Sequence, residues 1–183
     1  MTAPSVYSPF LSGRRLYLRE VRPEDANDNY YRWMSDPEVT RFLESRFFPN
    51  SLESLRQYVT SKQGDRNNVF LAMVLHENDR HIGNIKLGPI DWIHRLGEVG
   101  ILIGEKDCWG KGLATEAISL LADYAFKRLD LYKLTAGCYA NNEGSTRAFE
   151  RAGFTQEGVR QQHFFCNGAR VDLILLGRVR PPS

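Results

Sequence analysis

The residues most able to do chemistry stand between positions 98 and 116. An apolar run from Glu98 to Gly104 has the length of a buried strand, and after a short polar turn Trp109-Gly110-Lys111-Gly112-Leu113 opens an amphipathic helix. Gly110 and Gly112 can take positive φ, so successive N–H groups can converge on an anion beside Lys111 and the helix start. The pattern predicts a pyrophosphate site, although the same glycines would also suit a plain strand-to-helix turn.

Two common phosphate loops do not match this stretch. The dinucleotide fingerprint needs a small residue where Thr115 stands, and its glycines follow the strand directly, whereas five residues separate Gly104 from Gly110. The Walker loop needs a glycine where Glu105 stands, and Gly112 occupies the position of its magnesium-binding hydroxyl residue. Both interpretations are therefore excluded.

A family pattern does match. Trp109-Gly110-Lys111-Gly112-Leu113-Ala114 resembles the Gln/Arg-x-x-Gly-x-Gly/Ala motif of acetyl-CoA-dependent N-acetyltransferases of the GNAT superfamily, with Trp109 replacing the first residue. Downstream, Asn142 to Phe154 resembles the Asn-x-x-Ser-x-Arg…Glu-Lys/Arg-x-Gly-Phe block of the RimJ/RimL-type branch. The resemblance covers roughly residues 14–178, and two motifs in register make it specific.

The resemblance implies how a cofactor is held. In that family the central parallel strands splay near a bulge, the pantetheine arm of acetyl-CoA pairs with the backbone of one of them, and the pyrophosphate lies on the glycine loop. Asn142 would cap the following helix and also contact the pantetheine arm. The residues expected to bind acetyl-CoA, the acetyl donor, are Ile101, Leu102, Ile103, Trp109, Gly110, Lys111, Gly112, Leu113, Ala114 and Asn142.

Amine acetylation needs a base for the ammonium proton, and Glu98 is the candidate. It is a carboxylate at the start of an apolar strand, where we expect desolvation to raise its pKa toward a useful range. Family members often have an acidic residue at this place. The alternative is a glutamate solvated at the sheet rim or paired with Arg95. His94 and His163 are weaker candidates, since a loop and a strand rim also account for them.

The acid that protonates the leaving thiolate is less evident. Many members of the superfamily have a tyrosine where this chain has Phe149, which cannot donate a proton. Ser145 lies one helical turn earlier and could hydrogen-bond the sulfur, or it could simply bond backbone. For the oxyanion, backbone N–H groups near Leu102 would serve. A covalent role for Cys138 is disfavoured because the family works by direct transfer, and no spacing of ligands predicts a metal site.

The elements that must position these residues follow the order β-α-α-β-β-β-α-β-α-β-β, which predicts an α/β domain with a mixed central sheet. The resemblance implies that this domain has the GNAT fold, with splayed parallel strands flanked by helices. One domain spans residues 1–183, with residues 1–12 as a loose arm. The predicted strands are 14–21, 69–75, 81–87, 98–104, 133–139, 155–165 and 170–176, and the predicted helices begin near 23, 51, 112 and 143.

Composition limits the partners. A net charge of +2 gives no reason to expect nucleic acid or a membrane as the main partner, and a homodimer is an admissible assembly. The three cysteines suggest neither a disulfide framework nor a zinc site, which favours free thiols in a reducing cytoplasm. The absence of a signal-like or membrane-spanning run also favours a cytoplasmic protein.

The acceptor should contact the loop at 38–50, the 89–96 loop and the last hairpin. Arg41 and Arg46 with Glu44 could hold an anionic group and an amine, or form a solvated loop. A small-molecule amine, including a nucleotide-linked amino sugar, is favoured because the loops are short and no acidic run suits a basic protein tail. The alternatives are a protein N-terminus and, because of Phe149, a non-catalytic acyl-CoA-binding module.

Overall fold

Eight strands form one mixed sheet in the computed structural model, which describes residues 8–182. The strands are β1 (Leu11–Ser12), β2 (Leu16–Glu20), β3 (Val69–Leu75), β4 (His81–Asp91), β5 (Leu96–Ile103), β6 (Lys133–Tyr139), β7 (Thr155–Cys166) and β8 (Ala169–Val179). The helices are α1 (Asp28–Ser35), α2 (Leu52–Lys62), α3 (Leu113–Lys127) and α4 (Glu143–Arg151). Across the sheet the order is β1-β2-β3-β4-β5-β6-β8-β7. The predicted α/β class is confirmed, and the long elements follow the predicted order.

Side-chain caps determine where two of the flanking helices begin. At α2, the Ser54 N–H donates to the Ser51 hydroxyl (3.0 Å) and the Ser51 N–H donates to the Ser54 hydroxyl (2.9 Å). At α4, the Asn142 side-chain oxygen accepts from the Ser145 N–H (3.3 Å). These caps satisfy N–H groups that have no partner within the helix. The predicted cap role of Asn142 is therefore confirmed.

The first helix begins later than the sequence predicted. Pro23–Asp25 forms a separate 3-10 turn, and α1 starts only after Asn27, whose side chain accepts from the first N–H groups of the helix. Asp25 explains the difference. Its carboxylate is turned inward and accepts two hydrogen bonds from Arg19 (2.7 and 2.8 Å) and one from the Arg22 N–H (2.8 Å).

The N-terminal segment differs from the expected loose arm as far as it is described. Residues 1–7 lie outside the described part, but Leu11–Ser12 pairs antiparallel with β2. The Phe10 N–H donates to the Leu18 carbonyl (2.8 Å), and its ring packs edge-on against Tyr124 of α3 with centroids 5.0 Å apart. The sheet edge and α3 thus hold the end of the segment.

The central strands separate where the site was expected. β5 and β6 form a parallel pair over three positions only, ending at Glu98 opposite Thr135. Beyond that point β5 remains paired with β4 up to Ile103, and β6 remains paired with β8 up to Tyr139. The two strands therefore splay apart and leave a gap, as the resemblance implied.

Alternation along β5 assigns its residues to the two faces of the sheet. Val99 belongs to the larger core cluster, which α3 and α4 form with one face of the sheet, and Ile101 packs against that cluster. Leu102 packs against the smaller cluster, which α1 and α2 form with the other face. Because successive side chains of a strand point to opposite faces, Glu98 and Gly100 share the face of Leu102. Glu98 thus stands where the strands part, on the side of α1 and α2.

Candidate active site

The glycine loop between β5 and α3 has the backbone geometry of an anion site. Gly110 and Gly112 have φ of 70° and 75°, a left-handed conformation that favours glycine. A Cβ at Gly110 would meet nothing within 4 Å, so the backbone angle and not crowding requires glycine there. Within residues 8–182, no acceptor takes a hydrogen bond from the N–H groups of residues 110–114. These donors and the positive end of α3 converge on the same place.

The side chains of the loop divide into two groups. Lys111 is exposed, so its ammonium can reach an anionic ligand. Leu113 is buried in the core, which leaves only its N–H for a ligand. Trp109 is partly exposed, and its indole N–H donates to the Ile103 carbonyl (2.9 Å). The residue that departs from the family motif therefore ties the loop to the end of β5.

An ion pair between Arg15 and Glu116, which the sequence did not reveal, connects the glycine loop to the first turn of α3. Arg15, just before β2, donates to the Lys111 carbonyl (2.6 Å) and pairs with Glu116 in the first turn of α3 (2.8 Å). Glu116 also accepts from the Arg15 N–H (2.7 Å). Partial burial opposes ionisation of Glu116, but the donors of Arg15 outweigh it and lower the pKa of this carboxyl. The only signal in the sequence is an acidic residue at a helix start.

Glu98 lies at the gap but not in the environment that the sequence predicted. Its side chain is exposed, so the burial on which the expected desolvation depended is absent. Arg95, the alternative partner, instead pairs with Asp130 (2.8 Å). Gly100, next along the same face, has no neighbour within 4 Å of its would-be Cβ, so open space adjoins Glu98. The position suits a base that meets an entering acceptor.

Ser145 faces the end of β6. Its hydroxyl lies 3.4 Å from the Cys138 sulfur. Burial raises the pKa of the Cys138 thiol, which disfavours a thiolate nucleophile. Phe149 is a buried core residue whose ring packs edge-on against Phe154 (centroids 5.1 Å apart). Ser145, with Thr146 beside it, thus places a hydroxyl of α4 next to the Cys138 thiol.

The two histidines stand apart from this constellation. His94 is exposed in the turn before β5, where its backbone N–H donates to the Asp91 carboxylate (2.9 Å). His163 is exposed on β7, with its ring edge-on to Phe164 (centroids 5.1 Å apart). Both positions agree with the loop and rim interpretations. In residues 8–182, no group of three or more His, Cys, Asp or Glu side chains could hold a metal ion.

A cleft lies at the end of α1, and Arg46, one of its lining residues, connects it to the end of β6. The Arg46 guanidinium donates to the Tyr139 hydroxyl at the end of β6 (3.2 Å) and to the Phe165 carbonyl on β7 (2.6 Å). Tyr139 in turn stacks on Phe164, with ring centroids 4.1 Å apart. The cleft has a volume of about 600 Å³ and runs between the end of α1, the 37–50 loop and the β7–β8 turn at Asn167.

Comparison with known proteins identifies the family to which the chain is similar. Residues 15–155 match the family model described as an acetyltransferase (GNAT) domain. The uncharacterized N-acetyltransferase YoaA of Bacillus subtilis (strain 168) is 29% identical over 175 residues, covering 94% of this chain and 98% of YoaA. Spermidine N(1)-acetyltransferase of Escherichia coli (strain K12) is 30% identical over 154 residues, covering 82% of this chain and 74% of that protein.

The fold also matches solved structures. Spermidine N-acetyltransferase from Vibrio cholerae, in complex with CoA and spermine, superposes with a TM-score of 0.79 at 24% identity, covering 90% of this chain and 95% of the other. With the splayed strands, the donor-rich loop and the family match together, the chain belongs to the GNAT acetyltransferases. It is an N-acetyltransferase, and its acetyl donor is acetyl-CoA.

Proposed function

We propose that this enzyme transfers the acetyl group of acetyl-CoA to the primary amine of a small molecule by direct attack in a ternary complex. The observation that carries this proposal is the bridge that Arg46 makes from the 37–50 loop to β6 and β7. A protein acceptor would need room for the chain that follows its N-terminal residue, and this bridge occupies part of that room. A cleft of about 600 Å³ has the size typical of small-molecule sites.

The residues of the glycine loop, of β5 and at the start of α4 fit the cofactor. The N–H groups of Gly110 to Ala114 and the ammonium of Lys111 would hold its pyrophosphate, while Trp109 keeps the loop against β5. The backbone of Ile101, Leu102 and Ile103 would pair with the pantetheine arm along the gap, with Asn142 on the opposite side. Acetyl-CoA supplies the activated acetyl thioester.

Each remaining role falls to a residue of this chain. Glu98 takes the ammonium proton, directly or through water, from the exposed mouth of the gap. Backbone N–H groups near Leu102 polarise the acetyl carbonyl. Ser145 donates a hydrogen bond to the leaving sulfur in place of the tyrosine that Phe149 replaces, and the proton that the attacking nitrogen loses passes through this hydroxyl or through water to the sulfur, so that CoA leaves as the thiol. Cys138 packs beside that hydroxyl and takes no covalent part.

Three further points remain part of the proposal. The downstream motif supports membership of the RimJ/RimL-type branch, while the named activity of one relative, spermidine acetylation, supports a small amine. A nucleotide-linked amino sugar is one such amine.

In the described chain no helix combines the length and apolarity needed to span a membrane, and the three cysteines are free and buried. A cytoplasmic location remains our prediction.

A panel of acceptors tests the proposal. Purified enzyme with acetyl-CoA is assayed for CoA release and for acetylated product against amino sugars, amino acids, polyamines and peptide N-termini. We expect turnover with at least one small amine and none with the peptides. Peptides as the preferred acceptors would contradict the proposal.

Phe149 supports a second candidate, a non-catalytic acyl-CoA-binding module, because the usual acid is missing. CoA at a concentration well above its Kd should stabilise the folded protein by roughly 3 kcal/mol. Such stabilisation without acetyl transfer to any amine of the panel would favour this candidate over the enzyme.

A further inference from the structure

The cleft at the end of α1 carries positive charge that its own walls do not neutralise. Arg41 and Arg46 both line it, whereas its other lining residues are neutral. Across residues 8–182, no ion pair within 4.0 Å joins either guanidinium to a carboxylate. Uncompensated cations in a concave surface raise the local concentration of anions.

The acidic residues of the adjoining segment, 36–44, are already engaged or lie outside the cleft. Asp36 and Glu38, at the start of the loop, both bind the Lys106 ammonium, at 2.8 and 2.9 Å. Glu44 is exposed on the same loop but does not line the cleft. The charge that an acceptor meets on this side is therefore that of the two arginines.

The two arginines are held differently. Arg46 is half-buried and donates to neutral oxygens of Leu43, Tyr139 and Phe165, so it is fixed in place while keeping its charge. Arg41 is exposed, with its guanidinium 5.0 Å from the Phe42 ring centroid. One cation is thus a rigid part of the wall, and the other is able to reach a ligand.

We propose that the acceptor is an amine that also carries a carboxylate or a phosphate, held by Arg41 and Arg46 while its amine lies toward Glu98. This inference rests on the proposed function. A polyamine offers only positive charge, which two uncompensated arginines repel, so this chain should differ in acceptor from its spermidine-acetylating relative. Guanidinium groups pair well with both carboxylate and phosphate, so the shared feature is the anion.

Matched acceptors test the inference. O-phosphoethanolamine is compared with ethanolamine, 4-aminobutanoate with butylamine, and spermidine serves as the cationic acceptor. We expect the anionic member of at least one pair to have kcat/KM higher by about tenfold or more, the effect of one well-placed charge contact. Which pair responds tells phosphate from carboxylate. Equal rates within both pairs, or spermidine as the best acceptor, would overturn the inference.

Charge reversal locates the effect. Arg41→Glu should lower kcat/KM for the preferred anionic amine by about tenfold or more and narrow the difference within its pair. The control is Arg66→Glu, which makes the same charge change at an exposed turn outside the cleft. Equal losses in the two variants would show a general charge effect and overturn the assignment to the cleft.

A binding measurement separates this inference from the proposed function. Protein saturated with CoA is titrated with O-phosphoethanolamine, ethanolamine, 4-aminobutanoate and butylamine by calorimetry. If no amine is acetylated, the proposed function fails, yet tighter binding of an anionic member still supports the anion site. Equal affinities within both pairs would overturn it whatever the turnover.

Discussion

At the scale of single residues, the proposed chemistry depends on two side chains, Glu98 where β5 and β6 part and Ser145 beside the end of β6. Glu98 was predicted from its place in an apolar strand, and it does lie where the strands part. Its exposure could not be predicted, because burial of a strand-end side chain depends on which elements cover that face. For Ser145 the sequence left two roles open, and its contact with Cys138 lies on another element, where no local pattern could show it. The role of Ser145 at the leaving sulfur stays a prediction.

Replacing Glu98 with glutamine should lower kcat/KM by about a hundredfold, the lower end of what a positioned base contributes. CoA binding, measured as a thermal shift, should be unchanged because the carboxylate lies away from the glycine loop. Glu77→Gln removes the same charge from an exposed turn and should behave as wild type. Full turnover in Glu98→Gln would remove this residue from the mechanism.

Replacing Ser145 with alanine should lower kcat by roughly tenfold to a hundredfold, since the leaving sulfur loses its hydrogen-bond donor. The matched variant is Thr146→Val in the same helical turn, whose hydroxyl lies 3.4 Å from the Asn142 carbonyl and also contacts the Cys138 thiol. Steady-state rates at saturating acetyl-CoA distinguish the two variants. A similar loss in both would indicate that the hydroxyls only support the helix.

At the scale of elements, the sequence predicted those whose signals are local. β3, β6 and α4 begin and end where the apolar runs, the Asn142 cap and Gly153 indicated, because these signals lie inside the segments themselves. The contacts that hold the site elements together join distant residues. Arg15 and Glu116 are 101 positions apart, and Arg46 and Phe165 are 119 apart, so no local pattern could reveal them.

Replacing Glu116 with glutamine should weaken CoA binding by a few-fold up to about tenfold, because Arg15 then holds the loop without a charged partner. The effect is modest because 45% of the Arg15 side chain is exposed, where water screens the ion pair. Calorimetry with CoA measures it. The control is Asp123→Asn, which breaks the exposed Lys127 pair near the other end of α3. Equal affinities in wild type and Glu116→Gln would show that the pair does not support the loop.

At the scale of the whole molecule, the pH dependence of folding stability should follow a group of buried charged residues close to α1. Arg19 and Asp25 form a buried pair, and His81 lies beside them with its Nδ1 3.9 Å from the Asp25 carboxylate. Burial opposes protonation of His81 and lowers its pKa. Burial acts against ionisation of Asp25, but the donors of Arg19 and Arg22 outweigh it and lower the pKa of that carboxyl.

The free energy of unfolding should therefore fall in two stages as the pH is lowered. Below about pH 6.5, the ordinary value for histidine, the unfolded chain binds the His81 proton more readily than the folded chain does, so stability is lost. A second loss follows below the ordinary aspartate value of 3.8, as Asp25 is protonated.

Urea unfolding at pH 5 to 8 measures the first stage. His81→Gln should flatten the slope just below pH 6.5, because glutamine does not titrate but can still donate to the Asn84 oxygen, which lies 2.8 Å from the His81 Nε2. His94→Gln, in an exposed turn, is the control and should keep the wild-type slope. An unchanged slope in His81→Gln would contradict the assignment.

The short pairing of β5 with β6 also makes cofactor occupancy visible to amide hydrogen exchange. In the antiparallel ladder with β4, every second N–H of β5 faces β4, and the others between Val99 and Ile103 face the gap. Without CoA, we expect these gap-facing amides to exchange with deuterium much faster than their neighbours, because they have no partner strand.

Saturating CoA should slow the gap-facing amides selectively, while amides of β3, paired on both sides, should change little. Amide-resolved NMR measures this difference. Uniform protection along β5 without ligand, or no change on adding CoA, would show that the cofactor does not complete the sheet. The missing neighbour of one strand thus gives a readout of donor binding that needs no knowledge of the acceptor.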